Sequence, residues 1–374
     1  MTSPRRAPGG FPVVGIIGGG QLARMCQPPS VALSITLSVL AESAESSAGL
    51  VVPSFTVGEV TDVEAVRAFA EACDVVTVED QLVPAEVLAA LEADGVVLRP
   101  SPPALALAQD KVALRRRLTE IGVEVGWPVV VKVPNGGYDG NGARVVTSPG
   151  DVTDWFARPL VDGPLAEQKA DVVRELAVLV ARSPSGHACS WMVAQSVRSG
   201  GVCTQVLAPA PGLDPNLAAV ATAAALRIAG GLAVTGVMAV EMFEIRDART
   251  GDPAYLVKDL ALGPHMSGHW SIDGAVTSQF EQHLRAVLDL PLGDTSPRSR
   301  WTVMGNVLGG YHRDLYPAYR HLMARDPALK IHLYGKDVQP GRTIGHVSVS
   351  GSDLDDLRAR ASHASDYLQG VINE

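Results

Sequence analysis

Two acidic residues sit inside otherwise apolar runs, Glu241 in VMAVEMF (Val237 to Phe243) and Asp259 in AYLVKDL (Ala254 to Leu260). A carboxylate embedded in such a strand is costly unless something positive meets it. Antiparallel neighbours would aim both carboxylates at one hard cation, and carboxylates that bridge Mg²⁺ to nucleotide phosphates are that ion's usual protein ligands. The alternative is one exposed sheet face on which Lys258 pairs with an acid. The segment that follows, Gly263-Pro-His-Met-Ser-Gly-His-Trp270, concentrates polar groups in a loop and reads as part of a site. A second polar cluster, Tyr334-Gly-Lys336 with Arg342 and His346, places two cations beside the turn residues Gly335, Pro340 and Gly341. That set suits a phosphate, or else solvated loop charges. Near the N-terminus, Gly18-x-Gly20-x-x-Ala23 with Glu42 beyond the next strand meets the loose dinucleotide fingerprint. The same glycines followed by Gln21 would equally let a helix N-terminus meet one phosphate or a polar substrate group, or serve tight packing alone.

These residues need elements to hold them. Pro12 to Ile17 reads as a strand, followed by a helix and a strand at Thr36 to Leu40. A helix at Asp62 to Ala72, a strand at Asp74 to Val78, a helix at Pro84 to Ala93 and a strand at Gly95 to Arg99 come next. Strands alternating with helices imply a parallel sheet. After the linker Ser101-Pro102-Pro103 and helical sequence to Gly122, a strand at Val129 to Val133 leads into the glycine-rich segment Asn135 to Gly142. Its four glycines permit close backbone approach to a ligand. Leu176 to Arg182 and Cys203 to Leu207 read as antiparallel strands, and Asp214-Pro215 opens a helix that runs to the Gly230-Gly231 pair. Val237 to Phe243 and Ala254 to Leu260 should form a hairpin around the polar turn Asp247 to Pro253. Helices at Thr277 to Val287, Asp314 to Ala324 and Ser352 to Leu368, with strands at Lys330 to Tyr334 and Gly345 to Val349, complete the chain.

The 374 residues suit two or three domains around a cleft. A 47% apolar and 19% charged composition is that of a globular protein, and the most apolar stretch, Leu217 to Phe243, is interrupted before it reaches a membrane-spanning length. The net charge of −9 excludes a general nucleic-acid surface, leaving a small-molecule partner. Met1 to Gly10 carries no signal-peptide core, and four cysteines without metal-type spacing fit free thiols in a reducing cytoplasm.

Long blocks in order along the chain resemble the 5-(carboxyamino)imidazole ribonucleotide synthases of purine biosynthesis. They include VGIIGGGQLARM from Val14, RPSPPALALAQDK ending at Lys111, GWPVVVK ending at Lys132, GGYDGNG, the stretch from Ser267 through Thr295, and HLYGKDVQPGRTIGH from His332. The resemblance implies an α/β and α+β ATP-grasp fold: an N-terminal parallel-sheet (preATP-grasp) domain over 1–108, a small lid region over 109–182, a metal- and nucleotide-binding region over 183–300 and a C-terminal subdomain over 301–374. It also implies ATP with Mg²⁺, bicarbonate activated as carboxyphosphate, capture by the amine of 5-aminoimidazole ribonucleotide, and a homodimer. By position, Lys111 and Lys132 would contact ATP phosphates, Glu167 the adenine side and Glu175 the ribose. Glu241 and Asp259 fall on the metal pair, and Gln21, Tyr138, Asp139, His265, Ser267, Lys336 and Arg342 on substrate positions.

The chain departs from the family pattern within these motifs. Lys258-Asp259 stands for an Asn-Glu pair, Gly263 and Met266 for the Arg and Asn of an Arg-Pro-His-Asn loop, Gln81 for a carboxylate, and Asn141 for a basic residue. A strand and helix expected between Val125 and Gly126 are lacking, so the lid reads as truncated. These substitutions keep a second expectation open, a weakly active or inactive relative with a ligand-binding or dimerising role.

Overall fold

The computed structural model describes residues 6–79, 83–123, 129–132, 143–145, 165–168, 172–247, 250–310 and 313–372. The expected parallel sheet comprises β1 (Val13–Ile17), β2 (Thr36–Ala41), β3 (Ser54–Val57) and β4 (Val75–Val78), in the order β3-β2-β1-β4. Every residue of β1 and β4 is buried, as the unbroken apolar runs require of parallel strands covered on both faces. Helices α1 (Gln21–Ala32), α2 (Val63–Ala70) and α3 (Ala85–Ala93) accompany it. The strand expected at Gly95 to Arg99 is reduced to one bridge, Val76 to Leu98, in which the Val76 N–H donates to the Val97 carbonyl (2.8 Å) and the Arg99 N–H to the Val76 carbonyl (2.9 Å). The short edge strand β3, none of whose residues is buried, lies outside the sequence expectation.

After α4 (Pro102–Gln109) and α5 (Lys111–Glu120), a three-stranded antiparallel sheet joins β5 (Val129–Lys132), β6 (Ala143–Val145) and β7 (Leu165–Gln168) in the order β6-β5-β7. The larger antiparallel sheet is built from β8 (Val172–Arg182), β9 (Ala188–Ser190), β10 (Ala194–Ser199), β11 (Val202–Ala208), β12 (Gly236–Arg246), β13 (Pro253–Leu262), β14 (Trp301–Leu308), β15 (Lys330–Leu333) and β16 (Thr343–Gly351). Its order is β13-β12-β8-β10-β11-β14-β16-β15, with β9 on β8. Strands β9, β10 and β14 also go beyond the sequence expectation, β14 because six of its eight residues are buried and no alternation marks them.

Helix α6 (Pro215–Gly231) begins as expected, with the Asp214 carboxylate accepting from the N–H groups of Asn216 and Leu217 and Pro215 at its first position. Helix α7 (Gln279–Val287) locks the two main sheets together. Its Phe280, Leu284 and Val287 enter the core formed by Val14, Ile16 and Val39. The buried His283 accepts from the Val237 N–H at Nδ1 (3.1 Å), so its Nε2–H donates to Thr77 Oγ1 (3.0 Å), tying β12 to β4. Helices α8 (Tyr316–Arg325) and α9 (Leu354–Gln369) cover the far end, where α9 packs on β14 and β16. No helix among the described residues is long and apolar enough to cross a membrane, and all four cysteines are free thiols.

Candidate functional site

Strands β12 and β13 form the expected hairpin, and Glu241 stands directly opposite Asp259. Directly opposed residues share a face of the sheet. The next pair is Met242 with Val257, so Lys258 is the extra residue of a β-bulge. Strict alternation would have sent Lys258 to the far face, away from both acids. The bulge instead returns it to theirs, with Lys258 Nζ 3.2 Å from Glu241 Oε2 and 3.0 Å from Glu175 Oε2 on β8. Arg198 on β10 also meets Glu175 (2.7 Å) and approaches Glu241 Oε1 (3.8 Å). Lys111, at the first turn of α5, lies 3.5 Å from Asp259 Oδ2. From the same helix, Arg115 donates to the carbonyls of Val257 (2.7 Å) and Lys258 (2.6 Å) and fixes the bulge.

The loop after β13 brings His265 to the same acids. Its Nδ1 accepts from Ser267, with the hydroxyl at 2.8 Å and the N–H at 3.3 Å, which assigns the ring proton to Nε2, 3.9 Å from Glu241 Oε1. Burial lowers the pKa of His265 despite the nearby acids, so the ring is neutral at pH 7. Burial works to raise the Glu241 pKa, but His265 once protonated in acid, with Lys258 and Arg198, outweighs it and holds the carboxyl below its usual range. The loop is held by the fully buried Gln279 at the start of α7. Its Oε1 accepts from the His265 N–H (2.9 Å), and its amide nitrogen donates to the His265 carbonyl (2.8 Å) and to His269 Nδ1 (2.9 Å). Nothing in the spacing of the sequence marks Gln279 for this work.

At the C-terminal ends of β1 and β4, the glycine loop has a different occupant from a dinucleotide. Glu79, just beyond β4, accepts from the N–H groups of Gly20 and Leu22, the latter at 2.8 Å. The positive end of α1 is thereby filled by the chain's own carboxylate. A Cβ on Gly20 would overlap that carboxylate, and one on Gly19 would overlap Ala41 and Ser46. The glycines therefore serve tight packing, and Gln21 turns outward to accept from Lys336 Nζ (2.6 Å). Burial and then Arg342 lower the Lys336 pKa, with Glu79 opposing them. His346 leaves this cluster for the interior, where its Nδ1 meets the Tyr334 hydroxyl (2.7 Å) and its ring stacks on His332. The polar side chains thus fall into two groups, Lys111, Asp259, Glu241 and His265 with Lys258, Glu175 and Arg198 in one, and Gln21 with Lys336 in the other.

Lys132 and Glu167 lie on the paired strands β5 and β7, but their side chains, like Tyr138, Asp139, Gln81 and Asn141, fall outside the described residues. A divalent cation of the kind the resemblance implies would require free carboxylate oxygens at Glu241 and Asp259. Glu241 is already engaged by Lys258, while Asp259 Oδ1 accepts from the Leu260 N–H (2.9 Å) and Oδ2 faces Lys111. A 2+ ion about 4 Å from the Lys258 ammonium would meet a repulsion of about 8 kcal/mol at an effective dielectric of 20. Among the described residues there is no group of three or more His, Cys, Asp or Glu side chains arranged to hold a metal. As they stand, these residues do not fit a preformed divalent site.

The chain matches three domain families in order: the ribonucleotide synthetase preATP-grasp domain over 12–109, the ATP-grasp domain over 103–280, and the phosphoribosylaminoimidazole carboxylase C-terminal domain over 302–360. It is 45% identical to the N5-carboxyaminoimidazole ribonucleotide synthase of Mycobacterium bovis over 381 aligned residues, covering 96% of this chain and 88% of that one. The chain belongs to the N5-carboxyaminoimidazole ribonucleotide synthase family. The synthase of Corynebacterium ammoniagenes is 40% identical over 96% of this chain and 92% of its own. The crystal structure of the Aspergillus clavatus synthase in complex with ADP and 5-aminoimidazole ribonucleotide superposes with a TM-score of 0.84 at 28% identity, covering 96% of this chain and 99% of that one. The synthase family is one of ATP-grasp ligases, and the parallel sheet, the antiparallel sheets and the C-terminal elements of this chain are its fold.

Two departures from the synthase pattern have local reasons in this chain. Met266 is an apolar contact, packing against the core that holds Trp270, Leu179 and Trp191. Gly263 adopts φ +116°, a conformation that L side chains rarely take. Restoring the arginine of the resemblance at this position is therefore a backbone problem before it is an electrostatic one. Gly263→Arg and Gly263→Ala are each expected to lose about 1–3 kcal/mol of stability, read as lower urea midpoints with unchanged m-values. Equal midpoints for Gly263→Ala and the parent chain would show that the turn relaxes freely.

Proposed function

We infer that this chain ligates bicarbonate to the amine of 5-aminoimidazole ribonucleotide at the expense of ATP. The products are N5-carboxyaminoimidazole ribonucleotide, ADP and phosphate, and carboxyphosphate is the intermediate. The single observation that carries this reading is the 45% identity over 96% of the chain to a synthase of that name. The charged cluster around Glu241 and the Gln21–Lys336 pair at the start of α1 support this reading.

In this reading Lys111 and Lys132 meet the ATP phosphates, Glu167 the adenine side and Glu175 the ribose. Arg198 and Lys258 share Glu175 Oε2, so Oε1 is the oxygen that a ribose hydroxyl would meet. Neutral His265 directs an N–H donor from Nε2 toward the bicarbonate-derived oxygens, and Ser267 fixes that tautomer. Lys336 and Arg342 bind the substrate's ribose phosphate, with Gln21, Tyr138 and Asp139 completing the pocket. Glu241 is met by Lys258, and Asp259 by Lys111 and the Leu260 N–H, so a Mg²⁺ accompanying the nucleotide would find no free protein carboxylate at this pair and would supply charge neutralisation to the phosphates without it. The free thiols fit a cytoplasmic setting, and the functional unit is a homodimer of this chain.

The test is phosphate release from ATP, with and without 5-aminoimidazole ribonucleotide and bicarbonate. Release should be stimulated only when both are present. Lys336→Met should raise the KM for the ribonucleotide by about 10–100-fold, the worth of one charge-assisted hydrogen bond, with the KM for ATP little changed. Absence of stimulated release at high enzyme concentration would sink the ligase reading. The position of Lys258 between Glu175 and Glu241 favours a second reading, a weakly active or inactive relative that retains ligand binding. That reading predicts ADP binding without stimulated turnover.

A further inference from the structure

Lys258 is not a surface lysine that happens to find an acid. Its backbone occupies a bulge whose carbonyl, with that of Val257, accepts from the Arg115 guanidinium. Its ammonium stands between two carboxylates on two different strands, Glu175 at 3.0 Å and Glu241 at 3.2 Å, and lies 5.6 Å from the Phe243 ring centroid. The side chain is only 19% exposed. The surrounding charges are complete without a metal: Glu175, Glu241 and Asp259 are met by Lys258, Arg198 and Lys111. An ammonium so placed is both a counter-ion and an obstacle, since it neutralises the acids and repels any second cation that would approach them.

We propose that the Lys258 ammonium is a built-in counter-cation of the Glu175–Glu241 pair, standing where a carboxylate-held divalent cation would stand, so that this chain binds nucleotide with no protein-coordinated metal at Glu241. The nucleotide half of this statement rests on the function proposed above, whereas the exclusion of metal does not. Lys258, with Arg198 and Lys111, then leaves Glu175, Glu241 and Asp259 no net charge for a metal to neutralise. Nucleotide affinity depends weakly on divalent cations as a result. Lys258 is thus a determinant of which charge form of the nucleotide the chain accepts.

The probe is Mn²⁺ alone, followed by its electron paramagnetic resonance on the full chain without nucleotide. Lys258→Asn and Lys258→Gln, each checked for a folded far-ultraviolet spectrum, should bind Mn²⁺ at least about tenfold more tightly than the parent chain. Adding Glu241→Gln to Lys258→Asn should remove that gain. Parent and Lys258 variants binding Mn²⁺ equally, whether tightly or not at all, would overturn the proposal, because the ammonium would then not be what excludes the ion. Calorimetric titration with ADP, in EDTA and in Mg²⁺, gives the second readout. The parent affinity should differ by less than about threefold between the two conditions, and that of Lys258→Asn by at least about tenfold. A tenfold dependence in the parent would likewise overturn the proposal. Failure of every protein to bind ADP in either condition would instead defeat the nucleotide reading, with the Mn²⁺ comparison still deciding the role of Lys258.

Discussion

Gln279→Leu is expected to lower the unfolding free energy by about 4 kcal/mol and turnover by at least about 100-fold. The native amide makes three hydrogen bonds from a fully buried position, two of them to the N–H and carbonyl of His265 and one to His269. Leucine fills a similar volume but satisfies none of these groups, and each buried polar group left unpaired costs about 1–3 kcal/mol. The catalytic consequence follows from geometry. His265 directs its Nε2–H because Ser267 holds the opposite nitrogen, and both residues belong to the loop that Gln279 clamps. Steady-state kinetics should show kcat falling while the KM for ATP stays within about threefold. Equal losses in kcat and in the fraction of folded protein would reduce Gln279 to a structural residue.

Acidification should be the second large effect. His269 and His283 are almost wholly buried, and burial pushes their pKa values down to about 3 and about 4. In the unfolded chain they return to about 6.5. Between pH 6.5 and pH 4 the unfolded state therefore binds more protons than the folded one, and stability must fall as pH falls through this window. At pH 5 each histidine accounts for a loss of about 2 kcal/mol, so the pair accounts for about 4 kcal/mol relative to pH 7.5. His265 and His346 are shifted in the same direction by burial and add to the slope. Urea titrations at pH 7.5 and pH 5.0 measure the difference directly. The His283→Gln variant should show about half the pH dependence assigned to the pair, because it removes one titrating ring while offering hydrogen-bonding groups to Thr77 and Val237. A pH-independent midpoint over this range would mean that these rings are protonated, or exposed, in the folded protein.

Much of the scaffold was legible because its determinants are local. The unbroken apolar runs at Val13–Ile17 and Val75–Val78 dictate buried parallel strands. Asp214-Pro215 fixes the start of α6 through bonds that span three residues. Acids embedded in apolar strands identified the Glu241–Asp259 hairpin, and the ordered motif blocks identified the family. Each of these signals acts within a helical turn, within a strand, or through side-chain chemistry written directly in the residue names.

Other decisions required the chain to be folded. Glu79 fills the N-terminus of α1 from 59 residues away, turning a loop that reads like a dinucleotide site into one that has no place for a pyrophosphate. Gln279 and His283 acquire their partners only because α7 is wedged between the two sheets. The conformation of Gly263, which argues against an arginine there, is invisible in the residue name. Most telling is Lys258. Strand periodicity assigns it to the face opposite Asp259, and a single extra residue in the β12–β13 ladder reverses that assignment. Acids embedded in apolar strands marked two carboxylates on neighbouring strands, and the ordered motif blocks, through the family they resemble, put that pair in a ligase scaffold. Only the tertiary structure decided that a lysine stands between Glu241 and Glu175, because the Arg115 guanidinium that holds its bulge comes from α5, more than a hundred residues away, and Glu175 from β8, and no local pattern encodes either contact.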